Sequence, residues 1–166
     1  MKRAVTCLML AWLSGALGCY HLGPIGKNTT RSVAVPMFKN RTLKPQLEAQ
    51  ITNAIIKRLQ ADGSTRVDWE ANADVVVTGV ITRYDRAVLR TQKEDTNVPR
   101  EYRLSIEALV EARNRITGAV VLKPTTLIGH ADSFLGSDLQ SAEEQALPLI
   151  ADDLARRVVS LLVEGW

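Results

Sequence analysis

From residue 32 onward the chain switches between a two-residue and a three-to-four-residue hydrophobic period, and the order of these stretches predicts its fold. Ser32-Val33-Ala34-Val35-Pro36-Met37-Phe38 is a short β-type run closed by Lys39-Asn40-Arg41-Thr42. Pro36 marks it as an edge strand or a bulged one, because proline brings no N–H to a ladder. A helix begins near Pro45, where the first turn's N–H groups are unpaired in any case. Leu47, Ile51, Ala54, Ile55 and Leu59 recur at helical spacing, Glu48, Asn53, Lys57 and Gln60 fall elsewhere, and Gly63 is a stop. The pattern is an amphipathic helix laid on a core.

Thr65-Arg66-Val67-Asp68-Trp69 alternates briefly. Residues 73–89 then make a long strand with Val75, Val77, Gly79 and Ile81 on one side and Asp74, Thr78 and Thr82 keeping the other face wet. The clearest strand is 101–113, where Tyr102, Leu104, Ile106, Ala108, Val110 and Ala112 face one way and Glu101, Arg103, Glu107, Glu111 and Arg113 the other. A one-residue slip would bury those charges, so the register is strongly set. Residues 90–100 read as a long charged hairpin loop, and Asn114-Arg115-Ile116-Thr117-Gly118 as a tight turn into Ala119-Val120-Val121-Leu122. Pro124 interrupts that strand, and residues 125–134 are a candidate continuation.

Ser141-Ala142-Glu143-Glu144 has the form of a capping box, in which Ser141 and Glu144 satisfy each other's backbone donors. Leu147, Ile150, Ala151, Leu154, Val158, Leu161 and Leu162 form the apolar stripe of the helix it announces. Pro148 falls inside, so that helix either kinks there or begins there. The expected fold is α+β: a two-layer sandwich with two amphipathic helices on one face of a mainly antiparallel sheet of about four strands.

Residues 1–18 stand apart. Lys2 and Arg3 precede a run, residues 4–18, without a single charge, ending in small residues before Cys19. This is the pattern of a signal peptide, too short for a comfortable transmembrane helix. Ala16-Leu17-Gly18-Cys19 resembles a lipobox, with Ala16 where Leu is usual, and predicts lipidation of Cys19 after removal of residues 1–18. Cleavage there also removes Cys7, so of the two cysteines only the lipid-bearing one stays, and no intramolecular disulfide is available. The basic count falls from 21 to 19 against 18 acids, so the sequence pI of 9.0 says little about nucleic acid. Tyr20 rather than Asp follows the cysteine, which by resemblance to bacterial lipoproteins implies sorting to the outer membrane. Residues 19–31, rich in Gly, Thr and Asn, read as a tether, and 32–166 as one domain.

Candidate chemistry is sparse. The two histidines, His21 and His130, have no second ligand at metal spacing, and no phosphate loop, nucleophile elbow or HExxH is present. Neither an enzyme nor a metal or other cofactor is expected. The pairs Asp152-Asp153 and Glu143-Glu144 lie on a helix, where adjacent residues do not share a face, and read as structural. Arg83, Arg86, Arg90, Lys93, Arg100 and Arg103 crowd the long hairpin. They are either a patch for phosphates, including those of lipid A or a membrane surface, or a solvated face balanced by Glu94, Asp95, Glu101 and Glu107. Aromatic residues are too few for a nucleic-acid stacking platform. Trp166 is expected to close the last helix against the sheet.

These pieces line up with a known family. Cys19 followed by Tyr20-His21-Leu22, then Ser32-Val33-Ala34-Val35-Pro36-Met37-Phe38-Lys39-Asn40-Arg41-Thr42, Pro45-Gln46-Leu47-Glu48, Ala73-Asp74-Val75-Val76-Val77-Thr78-Gly79, Tyr102-Arg103-Leu104 and Thr117-Gly118 resemble, in order and spacing, the lipopolysaccharide-assembly lipoprotein family LptE. The resemblance implies a two-helix, four-strand sandwich that plugs the LptD β-barrel, assists its assembly, contacts lipopolysaccharide and catalyses nothing. Arg90, Lys93 and Arg100 are candidate lipopolysaccharide contacts on charge alone. The first strand and helix also resemble lipoproteins that activate peptidoglycan synthases or build secretion pores, against which the short tether speaks.

Overall fold

The computed structural model of the chain describes residues 31–91, 99–134 and 139–164, without the side chains of residues 91, 99 and 100. The elements run β1 (Ser32–Ala34), β2 (Lys39–Asn40), α1 (Leu47–Asp62), β3 (Arg66–Val67), β4 (Val75–Thr91), β5 (Pro99–Asn114), β6 (Val120–Phe134) and α2 (Leu139–Glu164). The expected residues 19–30, Lys93, Trp166 and the Arg100 side chain lie outside the described residues.

The α+β class holds, but the sheet is mixed and has six strands rather than about four. Its order is β3-β1-β4-β5-β6, with β2 also on β4. The long strands β4, β5 and β6 are antiparallel neighbours. β1 runs parallel to both β3 and β4, and β2 parallel to β4. Strands of two or three residues are shorter than the window in which alternation can be read, so a pattern argument finds only the long ones. β1 and β2 both lie along the same β4 strand, at Val75–Val76 and Val80–Ile81, and residues 35–38 with Pro36 make the break between them. The break leaves the Phe38 N–H without a ladder, and Thr52 of α1 supplies the acceptor: its Oγ1 takes the Phe38 N–H at 3.1 Å and donates to the Glu48 carbonyl at 2.7 Å.

The core lies between the sheet and the two helices. Leu47, Ile51, Ile55 and Leu59 of α1, Ile150, Leu154 and Val158 of α2, and Val75, Val77, Ile81, Leu104, Ile106 and Val110 of the sheet form one buried cluster. Each such side chain contributes roughly 1.5–3 kcal/mol by leaving water. Two glycines set the spacing. The Phe38 ring occupies the place where a Cβ on Gly79 would stand, and α2 crosses β6 directly over Gly129.

Both helix starts differ from expectation. α1 begins at Leu47, after Gln46 in the left-handed region at φ 67°, while Gly63 ends it as expected with φ 72° and an N–H bonded to the Leu59 carbonyl. α2 is described from Leu139, so Ser141 lies inside the helix rather than at its N-cap. Glu144 instead accepts from the Gln140 side chain at 3.1 Å, and Glu143 is drawn to two cations. The helix runs through Pro148. Pro148 and Glu144 are both exposed, so water can serve the carbonyl that the missing N–H leaves free. Pro124 is likewise absorbed: β6 is continuous and shifts register between its pairs at Val110 and Ala112 of β5, on an edge strand where proline is tolerated.

Candidate functional site

The chemistry-bearing residues gather at the end of the sheet near the β4–β5 hairpin. Up to Ile81, the odd-numbered residues of β4 face the helices. A bulge at Thr82 then shifts the pairing, Ile81 opposing Ala108 and Arg83 opposing Glu107. From there the parity reverses, and Tyr84 and Arg86, opposite the inward-facing Ile106 and Leu104, turn to the helix side. Strict alternation would have left both in water.

The reversal builds a clasp. Glu143 of α2, only 13% exposed, accepts from Lys44 Nζ and from Arg86 at 2.9 Å each. Lys44 lies 5.8 Å from the Tyr84 ring centroid and Arg86 5.7 Å from that of Tyr102. Burial pushes the Glu143 carboxyl up, but the hydrogen bond and charge of Lys44, with those of Arg86, outweigh it and hold the group below its ordinary value. The buried Tyr84 hydroxyl has no partner of good hydrogen-bond geometry among the described residues, though it lies close beside the Glu143 carboxylate. Its pKa is raised to about 12, by burial first and then by the charge and nearness of that carboxylate. Lys44 is positioned by its own loop, where Asn40 Nδ2 donates to the Lys44 carbonyl at 2.7 Å and to Glu48 at 3.0 Å. The clasp thus ties the segment before α1, strand β4 and the start of α2, and retains one cation in excess of its carboxylate.

The basic residues of the hairpin divide. Arg103 makes a two-pronged contact with Asp132 at 2.7 and 2.8 Å, which holds the Asp132 carboxyl low. Arg90 reaches Glu101 at 3.3 Å but is 80% exposed, a pair easily exchanged for another anion. Arg83 forms no ion pair among the described residues, because Glu107 opposite it accepts from Thr82 instead. Of the three candidate contacts, only Arg90 has a described side chain; Lys93 and the side chain of Arg100 lie outside the described residues. The sequence reading missed Lys44, Tyr84 and Glu143, which no local motif connects.

His130 is a surface residue of β6, its N–H donating to Asp153 of α2 at 3.2 Å. Asp153 also binds Arg157, and Asp152 binds Arg156, in keeping with a structural reading of that acidic pair. Among the described residues no group of three or more His, Cys, Asp or Glu could hold a metal, and no helix is long and apolar enough to cross a membrane.

The described residues form a non-repeating α+β domain in which many of the charged side chains pair with one another. The LptE family model, described as lipopolysaccharide-assembly, matches residues 30–162, and the chain belongs to that family. No curated protein matches it in sequence. Solved structures share the fold at low identity. One is a protein from Xanthomonas campestris, with 10% identity and a TM-score of 0.62 over 86% of this chain and 90% of that one. A Chlamydia trachomatis protein has 14% identity and a TM-score of 0.59 over 82% and 97%. A minor lipoprotein from Acinetobacter baumannii has 15% identity and a TM-score of 0.51 over 82% and 94%.

Proposed function

We propose that the protein is an outer-membrane lipoprotein, anchored by a lipid on Cys19, that sits as a plug and assembly factor in an LptD-type β-barrel and contacts lipopolysaccharide on its way to the cell surface. The observation that carries this reading is the family match over nearly the whole domain. The open face of the sheet agrees with it. There Thr82 donates to Glu107, Arg103 pairs with Asp132 and Arg113 with Glu111 beside the exposed Leu109 and Ile128, a mixed and largely polar face that suits a polar barrel lumen. Exposed Arg90, and Arg83, which makes no ion pair among the described residues, leave positive charge for phosphate groups. The protein acts by binding and not by catalysis.

Affinity purification of the tagged, lipidated protein from detergent-solubilised outer membrane tests this. Stoichiometric recovery of an LptD-type barrel is the expected result. Recovery of a peptidoglycan synthase, or of nothing, would overturn the plug reading.

A further inference from the structure

The open sheet edge at β1 and β3 is not used by that reading. β3 stops at Val67, and just beyond it lies a groove of about 530 Å³ lined by Val35, Pro36, Met37, Ile56, Val67 and Trp69, with Glu70 on its rim. Trp69 is 82% exposed and Met37 61%. Trp69 is nevertheless held on a fixed turn: its N–H donates to Asp68 Oδ1 at 2.8 Å, and its carbonyl accepts from Asn72 and Ala73 at 2.9 and 3.0 Å. A large aromatic side chain kept outward beside an apolar floor is a surface made to be covered.

The chain's own upstream segment has the chemistry and the reach to cover it. The Arg31 carbonyl accepts from the Arg66 N–H at 3.1 Å, so the chain joins the domain at this same edge, beside β3. Upstream stand the apolar Tyr20, Leu22, Pro24 and Ile25 with the basic His21 and Lys27, and Gly26-Lys27-Asn28 has turn-forming composition. The near wall of the groove, Ala34 and Val67, lies about three residues along β1 from Arg31, or roughly 10 Å. The chain from Ile25 to Arg31 can span roughly 20 Å and that from Leu22 roughly 30 Å, enough to double back. The groove's acidic rim residue, Glu70, complements His21 and Lys27.

We propose that residues 20–25 dock in this groove, with Leu22 and Ile25 against Met37, Ile56 and Trp69. The membrane anchor expected at Cys19 then leaves the domain from the β1–β3 edge rather than from the end of a free tether, which fixes how the domain faces the bilayer. The inference does not depend on the barrel partner.

The test uses the processed, lipidated protein in phospholipid nanodiscs. In a Trp166→Phe background, with residues 1–18 removed, Trp69 is the lone tryptophan. Its emission should be blue-shifted and resistant to acrylamide. In Leu22→Ser/Ile25→Ser the emission should shift red and quenching rise several-fold, with an unchanged circular dichroism spectrum. Glu70→Lys should give a smaller change of the same sign. Equal emission and quenching with and without the double substitution overturns the proposal, whether Trp69 is open in both or shielded in both by the bilayer.

Discussion

Gly129 of β6 lies directly beneath Leu154 of α2: a Cβ on the glycine would stand 2.8 Å from the leucine Cβ and 2.7 Å from the Ile150 carbonyl oxygen. Both opposing groups belong to a packed helix rather than to a flexible tip. Gly129→Ala should therefore lift α2 off the sheet and destabilise the domain by about 1–3 kcal/mol. Urea denaturation checks this, with Thr126→Ala on the open face of the same strand as a near-neutral control.

Tyr84→Phe removes a buried hydroxyl that has no partner of good hydrogen-bond geometry among the described residues. The variant should be as stable as the parent or more so, by up to about 1 kcal/mol, since an unsatisfied buried polar group is a net loss. Because the folded state holds this proton up to about pH 12, against an ordinary value of 10.0, the associated stability is intact below pH 10 and is lost between the two. An ultraviolet titration of the folded protein should show one late-ionising tyrosine that is missing in Tyr84→Phe.

Glu143 holds Lys44 and Arg86 together, and its carboxyl is depressed. A depressed carboxyl contributes stability that is complete above its unfolded pKa of about 4.3 and disappears as pH falls through the lower folded value. Glu143→Gln should therefore flatten this acid limb in thermal melts while lowering Tm at pH 7. An acid limb identical to that of the parent would show that the clasp does not bear on stability.

Asp153 occupies the backbone N–H of His130 midway along the edge strand β6. Asp153→Ala should free this donor and also break the pairs to Arg156 and Arg157. An open edge is a template for pairing with another chain, so the variant should associate with rising concentration where the parent does not. Sedimentation velocity reads the difference.

Arg90 pairs with Glu101 at 3.3 Å but is 80% exposed. If the hairpin meets phosphate groups, reversing charge at Arg90, Lys93 and Arg100 together should weaken binding to lipopolysaccharide several-fold and leave the melt unchanged. Unaltered binding removes these residues from the interface.

The long strands, α1 and the turn at Gly118 were legible because each is specified by neighbours in sequence. The 101–113 alternation forces its own register, Gly63 ends α1 where a left-handed residue is needed, and Asn114 Oδ1 takes the N–H groups of Ile116 and Thr117 before Gly118 at φ 72°. β1, β2 and β3 were not legible as three parallel partners, since two or three residues carry no period. The capping box misled because the helix is described from Leu139, two residues before Ser141, and Glu144 accepts from Gln140 within it.

The candidate site shows the same division more sharply. By itself the sequence determined that the hairpin would be basic and that one sheet face would be apolar. Only the tertiary structure decided which arginines are spent and which remain. One bulge at Thr82 turns Tyr84 and Arg86 inward, and Glu143, on a helix far along the chain, then gathers Arg86 and Lys44. Periodicity reports the local preference of each segment, whereas a bulge and a three-element ion cluster depend on packing between segments distant in sequence, which no local window contains.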